Sequence, residues 1–176
     1  LTGIAGQRRS ARASGDRFAQ DAGKFVAVSA GDGLEATMSA HGSGAVAHSG
    51  KIGGVVLNID IGGGTSKFAI CNNRKVQEVS AIDIGARLLA FDTDGAIVRI
   101  EEAGRKHAGW AGFSVELGQK IPEEQIRKMV SGMIDKLFAM LKPESITEDI
   151  KDLLRLPPLT FRGEIDCVMF SGGVSE

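Results

Sequence analysis

The chain has 176 residues, 21 basic against 22 acidic side chains for a net charge of −1, and a composition that is 43% hydrophobic and 24% charged. That length suits one ordinary domain with a single buried core, and the charge balance excludes a nucleic-acid wrapper or a polybasic membrane binder, which both need a large positive excess. Glycine stands out at 24 residues against four prolines, roughly twice ordinary usage, so glycines are expected in turns and at close backbone approaches.

In chain order, the alanine-rich stretch from Arg8 to Ala22 reads as a helix stopped by Gly23, and Lys24 to Ala30 as a strand. Leu34 to Ser49 reads as a helix of small residues, weakened by Gly42 and Gly44, that either packs very tightly or lies beside a ligand. Val55 to Ile61 is a buried strand by its β-branched content. Ser66 to Cys71 follows a glycine turn as a second strand, and Asn72-Asn73 turns into a third from Lys75 to Ile82. Asp94-Gly95 predicts a two-residue hairpin turn between RLLAF and AIVRI. Pro122 suits the first helical position of a long helix to Leu141, in which Ile126, Met129, Val130, Met133, Ile134, Leu137 and Leu141 step by three and four as a core face. A short helix near Thr147 to Leu154 precedes Pro157-Pro158, and Ile165 to Phe170 is a last buried strand. Helices alternate with strands around one block of hairpins, so the expectation is an α/β fold with a mixed sheet flanked by helices.

Cys71 and Cys167 each lie in an apolar strand-like run and read as reduced thiols. No apolar stretch approaches the ~18 residues of a membrane span and no signal peptide is visible. The expected setting is therefore cytoplasmic, with neither membrane nor nucleic acid as partner. The chain starts at Leu1 and stops at Glu176 just after a Gly-Gly turn, which reads as a piece cut from something longer.

Asp60-Ile61-Gly62-Gly63-Gly64-Thr65 stands between two strands. Three consecutive glycines leave backbone N–H groups unshielded by any Cβ, and a phosphate can accept several of them at once. Thr65 adds a hydroxyl donor. Asp60, at the strand end, can hold Mg²⁺ directly or through its water against the same phosphates. Lys67 does not make this a Walker loop, because it sits inside a strand rather than opening a helix. Ser171-Gly172-Gly173 follows another buried strand, an arrangement that lets a nucleoside lie flat against backbone. Taken alone, that second turn is weak evidence.

Two such loops in this order, about a hundred residues apart, resemble the actin-like ATPase superfamily, with its ribonuclease H-like lobes. DIGGGT is similar to its second phosphate loop, VMFSGGVSE to its adenosine loop, and GLEATMSAHGSGAVAHS to the helix that crosses between its lobes. The stretch from TGIAGQRR to GAVAHS, with LNIDIGGGTSKFAI and IVRIEEAGR, resembles the ethanolamine utilization protein EutA family over nearly the whole chain. The resemblance implies an ATP-dependent reactivating factor whose client is ethanolamine ammonia-lyase. Such a factor frees the inactivated lyase of damaged cobalamin as ATP changes the angle between two lobes. It implies ATP and Mg as ligands of the intact protein, a cytoplasmic setting associated with a bacterial microcompartment, and residues 1–176 as one nucleotide-binding lobe. It also assigns the binding residues: Asp60, Gly62, Gly63, Gly64, Thr65, Ser171, Gly172 and Gly173. The superfamily's first phosphate loop is absent from this chain, so half a site and weak nucleotide binding by the chain alone are expected. Lys67 stands where chaperones, bacterial actins and related phosphatases carry an acid, which tells against phosphatase chemistry. At most a slow ATPase is expected, with no residue assigned as catalytic.

Two other readings stay open at this point: a small-molecule kinase of the same superfamily, and an actin-like polymer subunit. Glu35 is a candidate that could point toward the site, although a solvated helix position is the plainer expectation. His41, His48 and His107 lack metal-pair spacing and read as surface or loop residues. Arg8, Arg9 and Arg12 read as a solvated face, the run Glu101-Glu102 to Arg105-Lys106 as exposed, and Trp110 as part of a glycine-flanked loop.

Overall fold

The β-branched run at 55–61 forms an inner strand of the sheet, with Val55, Leu57, Ile59 and Ile61 on a fully apolar face and Val56, Asn58 and Asp60 on the other. In the computed structural model, which describes residues 31–173, the chain order is α1 (Asp32–Gly42), α2 (Ala45–Ile52), β1 (Val55–Ile61), β2 (Ser66–Asn72), β3 (Lys75–Ile82), β4 (Leu89–Phe91), β5 (Ile97–Ile100), α3 (Glu102–Trp110), α4 (Glu123–Ala139), a 3₁₀ turn (Pro143–Ser145), α5 (Glu148–Lys151) and β6 (Cys167–Ser171). The helix expected at 8–22 and the strand expected at 24–30 lie outside the described residues.

Four strands make a mixed sheet in the order β3-β2-β1-β6. β1, β2 and β3 are an antiparallel meander, while β6 returns parallel to β1 with Asp60 opposite Ser171. One face carries Val56, Ala69 and Cys71 beneath Ala40 of α1 and Ala45 and Val46 of α2. The other carries Leu57, Ile59, Phe68, Ile70 and Ile82 against Leu137 and Met140 at the end of α4 and Ile150 and Leu153 around α5. The expected mixed α/β architecture is the one observed. A separate hairpin, β4–β5, packs with α3 and α4 around Ile97, Ala108, Val115 and Met129.

Several local expectations need correction. The helix expected from 34 to 49 is two helices, because Gly44 turns left-handed at φ 84° between Gly42 and Ala45. Its small residues do pack tightly: Ala36, Ala40 and Ala45 are fully buried. The β2–β3 turn falls one residue later than expected, at Asn73 and Arg74, whose φ values of 48° and 62° are the two positive angles a type I′ turn needs. The Asp94-Gly95 hairpin is longer than two residues. Asp92 N–H donates to Ala96 O at 2.9 Å, Gly95 N–H donates to Asp92 O at 3.1 Å, and Gly95 alone is left-handed at φ 81°. Pro122 caps α4 in an extended conformation rather than occupying its first turn. β6 starts at Cys167 instead of 165, since Asp166 is used to fasten β1: its carboxylate accepts the Val55 N–H at 2.7 Å and its own N–H donates to Val55 O at 2.9 Å.

The segment around Trp110 is helix α3 and not a loop. Gly104 and Gly109 obscured its pattern, and Gly104 is needed because a Cβ there would sit 2.6 Å from Leu88 O. On the same helix His107 is 3% exposed, which overturns its reading as a surface residue. The stripe on α4 is only half a core face. Met129 and Leu137 are buried, but Val130, Ile134 and Phe138 stay exposed. Val130 and Ile134 line an apolar groove of about 330 Å³ with Ile84, Leu88 and Phe91.

Candidate phosphate-binding site

β1 and β2 are joined by the four residues 62–65, with Ile61 still paired to Ser66. Gly62 N–H closes the hairpin onto Thr65 O at 2.9 Å. The outer carbonyls are held from behind: Ala86 N–H donates to Gly62 O at 3.0 Å and Arg87 N–H to Gly63 O at 2.7 Å. Gly85 makes that contact possible, since a Cβ on it would lie 2.5 Å from Gly63 O. Gly63 and Gly64 are exposed, and among the described residues the N–H groups of Gly63, Gly64 and Thr65 donate to no backbone or side-chain acceptor. None of the three loop glycines has a left-handed φ, and a Cβ on Gly64 would meet nothing within 4 Å. The loop's own geometry therefore does not require glycine at 64. It leaves a bare backbone edge facing outward, anchored from the other side.

The second glycine turn arrives at the same end of the sheet. Gly172 is left-handed at φ 93°, and a Cβ on it would sit 2.3 Å from Ile61 O and 2.7 Å from Asp60 Oδ1. Two independent constraints thus demand glycine there. Ser171 Oγ lies 3.4 Å from Asp60 Oδ1. Behind this pair, the fully buried Asn58 donates through Nδ2 to Ser39 Oγ at 3.1 Å and to Ser171 Oγ at 3.2 Å, tying α1, β1 and β6 together.

Glu35 is not solvated as expected. Its side chain is 14% exposed, and its Oε2 lies 2.7 Å from Lys67 Nζ. Lys67 is 7% exposed and also donates to Thr65 Oγ1 at 2.7 Å. Lys67 stands directly opposite Asp60 in the β1–β2 register, so both belong to the sheet face covered by α1 and α2. Glu35 Oε1 is buried without a hydrogen-bond partner. Every residue singled out for the site within the described range thus gathers at one end of the sheet: Asp60, Gly62 to Thr65, Ser171 to Gly173, and Glu35.

Sequence reasoning missed three contributors. The sequence presents Lys67 as a lysine misplaced for a Walker loop and as a missing acid, although the two-residue period of a strand puts it on the same side as Thr65. Gly85 and Asn58 carried no sequence signal, because their roles depend on contacts across the fold. Among the described residues no group of three or more His, Cys, Asp or Glu side chains could hold a metal. None of their helices is long and apolar enough to cross a membrane.

The chain matches the family described as ethanolamine utilisation protein EutA over residues 1–176. It belongs to that family. It is 39% identical over 182 residues to the ethanolamine ammonia-lyase reactivase EutA of Salmonella typhimurium, covering 100% of this chain and 38% of that protein. It is 37% identical over 105 residues to the Escherichia coli K12 protein of the same name, covering 60% of this chain and 22% of that protein. The chain therefore spans well under half the length of these relatives. Among solved structures it is similar to MreB 5 of Spiroplasma citri bound to AMPPNP, with a TM-score of 0.41 and 16% identity over 96% of this chain and 54% of that one.

Proposed function

We propose that this chain is the part of a EutA reactivating factor that holds the phosphates and the adenosine edge of ATP, and that the intact protein releases damaged cobalamin from inactivated ethanolamine ammonia-lyase. The observation that carries the reading is the meeting of two glycine turns from distant parts of the chain. The 62–65 hairpin and the 171–173 turn abut at the ends of parallel strands, with Gly172 pressed against Ile61 and Asp60. The ends of adjacent parallel strands are where α/β sheets place ligands. The bare N–H groups of Gly63, Gly64 and Thr65 supply donors for phosphate oxygens. The names of the Salmonella and E. coli relatives supply the client.

Magnesium fits the donor set. Asp60 offers one carboxylate, and Mg²⁺ usually takes one or two carboxylates while phosphates and retained waters complete its shell. Glu35 Oε1, buried without a partner on the carboxylate that pairs with Lys67, is a further unsatisfied acceptor at this end of the sheet. When bound, the ion neutralises charge on the transferable phosphoryl group. This chain's residues do the rest: Asp60 fixes the position, Thr65 donates its hydroxyl, and the backbone at 63–65 surrounds the anion. For nucleotide to drive release of cobalamin, it must bind one arrangement of the protein better than another, since only differential affinity shifts a conformational equilibrium.

Nucleotide titration of this chain beside the full-length protein, with and without Mg²⁺, tests the reading together with rescue of an inactivated lyase. ATP-dependent rescue by the full-length protein, with far weaker binding by the chain alone, is the expected result. Rescue that proceeds equally well without any nucleotide ends it.

A further inference from the structure

Lys67 is a cation nine-tenths buried beside the proposed phosphate loop, whose closing bond runs from Gly62 N–H to Thr65 O and does not involve it. Its ammonium donates to Thr65 Oγ1 and pairs with Glu35 Oε2, each at 2.7 Å. A hydroxyl that accepts from an ammonium must send its own proton elsewhere. With Lys67 on one of its lone pairs, Thr65 keeps its own proton to donate outward, polarised by the positive charge behind it. A phosphate oxygen hydrogen-bonded to Thr65 would lie within about 4–5 Å of Nζ, a range over which the charge of a buried ammonium is felt. Asp60 stands across the strand pair from Lys67, so the same location holds two carboxylates and one ammonium. A ligand bearing more phosphate charge gains more from that ammonium than one bearing less.

We infer that Lys67 is the positioning residue that lets the loop tell a nucleoside triphosphate from a diphosphate, and that Glu35 sets the strength of this discrimination by holding the ammonium. The inference rests on the phosphate reading of the loop and goes beyond it, naming which phosphate the site reads and with what. Glu35 lies in the first turns of α1, a helix whose residues Ala36 and Ala40 are buried. A change in how Lys67 is shared between Glu35 and a bound anion therefore reaches an element outside the loop.

The test uses the full-length protein in excess Mg²⁺. Its affinities for AMPPNP, a non-hydrolysable triphosphate analogue, and for ADP are measured by calorimetry, and the ratio of the two is the readout. Lys67→Met is expected to lower the AMPPNP-to-ADP ratio about tenfold, through loss of a unit charge about 4–5 Å from the extra phosphate, and Lys67→Arg to restore part of it. Glu35→Gln is expected to move the ratio the other way, about threefold upward, because the ammonium keeps its charge and loses its anionic partner. Opposite signs are the decisive feature, since general damage to the fold would lower both. Because Lys67→Met strands a buried carboxylate, the pair Glu35→Gln with Lys67→Met is made as well, with thermal melting to confirm folding. A ratio unchanged in both Lys67→Met and the double variant overturns the role of Lys67, and a fall in Glu35→Gln overturns that of Glu35. Wild-type protein that binds neither nucleotide would instead remove the underlying phosphate reading.

Discussion

Asp60 and Ser171 are 111 positions apart in the chain, yet they face each other in the parallel pair of β1 and β6, with Ser171 Oγ 3.4 Å from the Asp60 carboxylate. One residue leads into the triple-glycine hairpin and the other opens the Gly-Gly turn, so the register of this strand pair fixes how the two loops sit together. Asp60→Asn keeps the size and an acceptor for Ser171 while removing the charge. The full-length variant should lose about tenfold or more in Mg-nucleotide affinity, with an unfolding midpoint close to wild type because Asp60 is only half buried. Unchanged Mg-nucleotide affinity would remove Asp60 from the site.

Gly172 tests the same junction from the other side. An alanine there would carry a left-handed φ, at a cost of about 1–2 kcal/mol, and its Cβ would also meet Ile61 O at 2.3 Å. Gly172→Ala should therefore be destabilised beyond that backbone term and should bind nucleotide poorly, because relief of the clash pushes the 171–173 turn away from Asp60. A denaturant midpoint equal to wild type would show that the two turns do not abut as described.

Gly64 separates shape from function. A Cβ at 64 meets nothing within 4 Å and its φ is not left-handed, so Gly64→Ala should leave stability unchanged or raise it by about 0.4–1 kcal/mol through the unfolded chain. The same methyl would stand on the bare edge offered to phosphate, and nucleotide affinity should fall. Loss of stability with affinity intact would reverse the argument and make Gly64 a purely conformational residue.

The central sheet was legible because β-branched strands bounded by glycine and asparagine turns are a local signal, and β1 to β3 fall within a residue of expectation. The glycine loops were legible for the same reason. What sequence could not show was contact across the fold. Helix α3 hides behind Gly104, which only the nearby Leu88 carbonyl explains. The break at Gly44 needed knowledge that both helices must lie flat on one sheet face. Glu35 looked like a solvated helix residue because its partner Lys67 is thirty-odd positions away on a strand, and no spacing rule connects them.

His107 gives a pH dependence unrelated to the site. It is buried on α3, its Nε2 lies 3.4 Å from Asp83 O, and its ring meets Trp110 edge-on with centroids 5.3 Å apart. Burial pushes its pKa below the usual 6.5; the carbonyl of Asp83 opposes that shift, the nearby Lys136 ammonium adds to it and Asp149 opposes it. The folded state therefore prefers neutral imidazole. Its contribution is fully present above pH 6.5 and is lost as pH falls through the lowered folded value, since the unfolded chain takes up the proton first. Asp149, held low chiefly by its hydrogen bond to Lys136, keeps its contribution above 3.8 and loses it only in stronger acid. The histidine window opens below pH 6.5 and that of Asp149 only below 3.8. Urea midpoints measured from pH 5 to pH 8 should rise with pH across the histidine range, and His107→Gln, which can still donate to Asp83 O, should flatten that rise. An identical slope in the variant would assign the titration to another group.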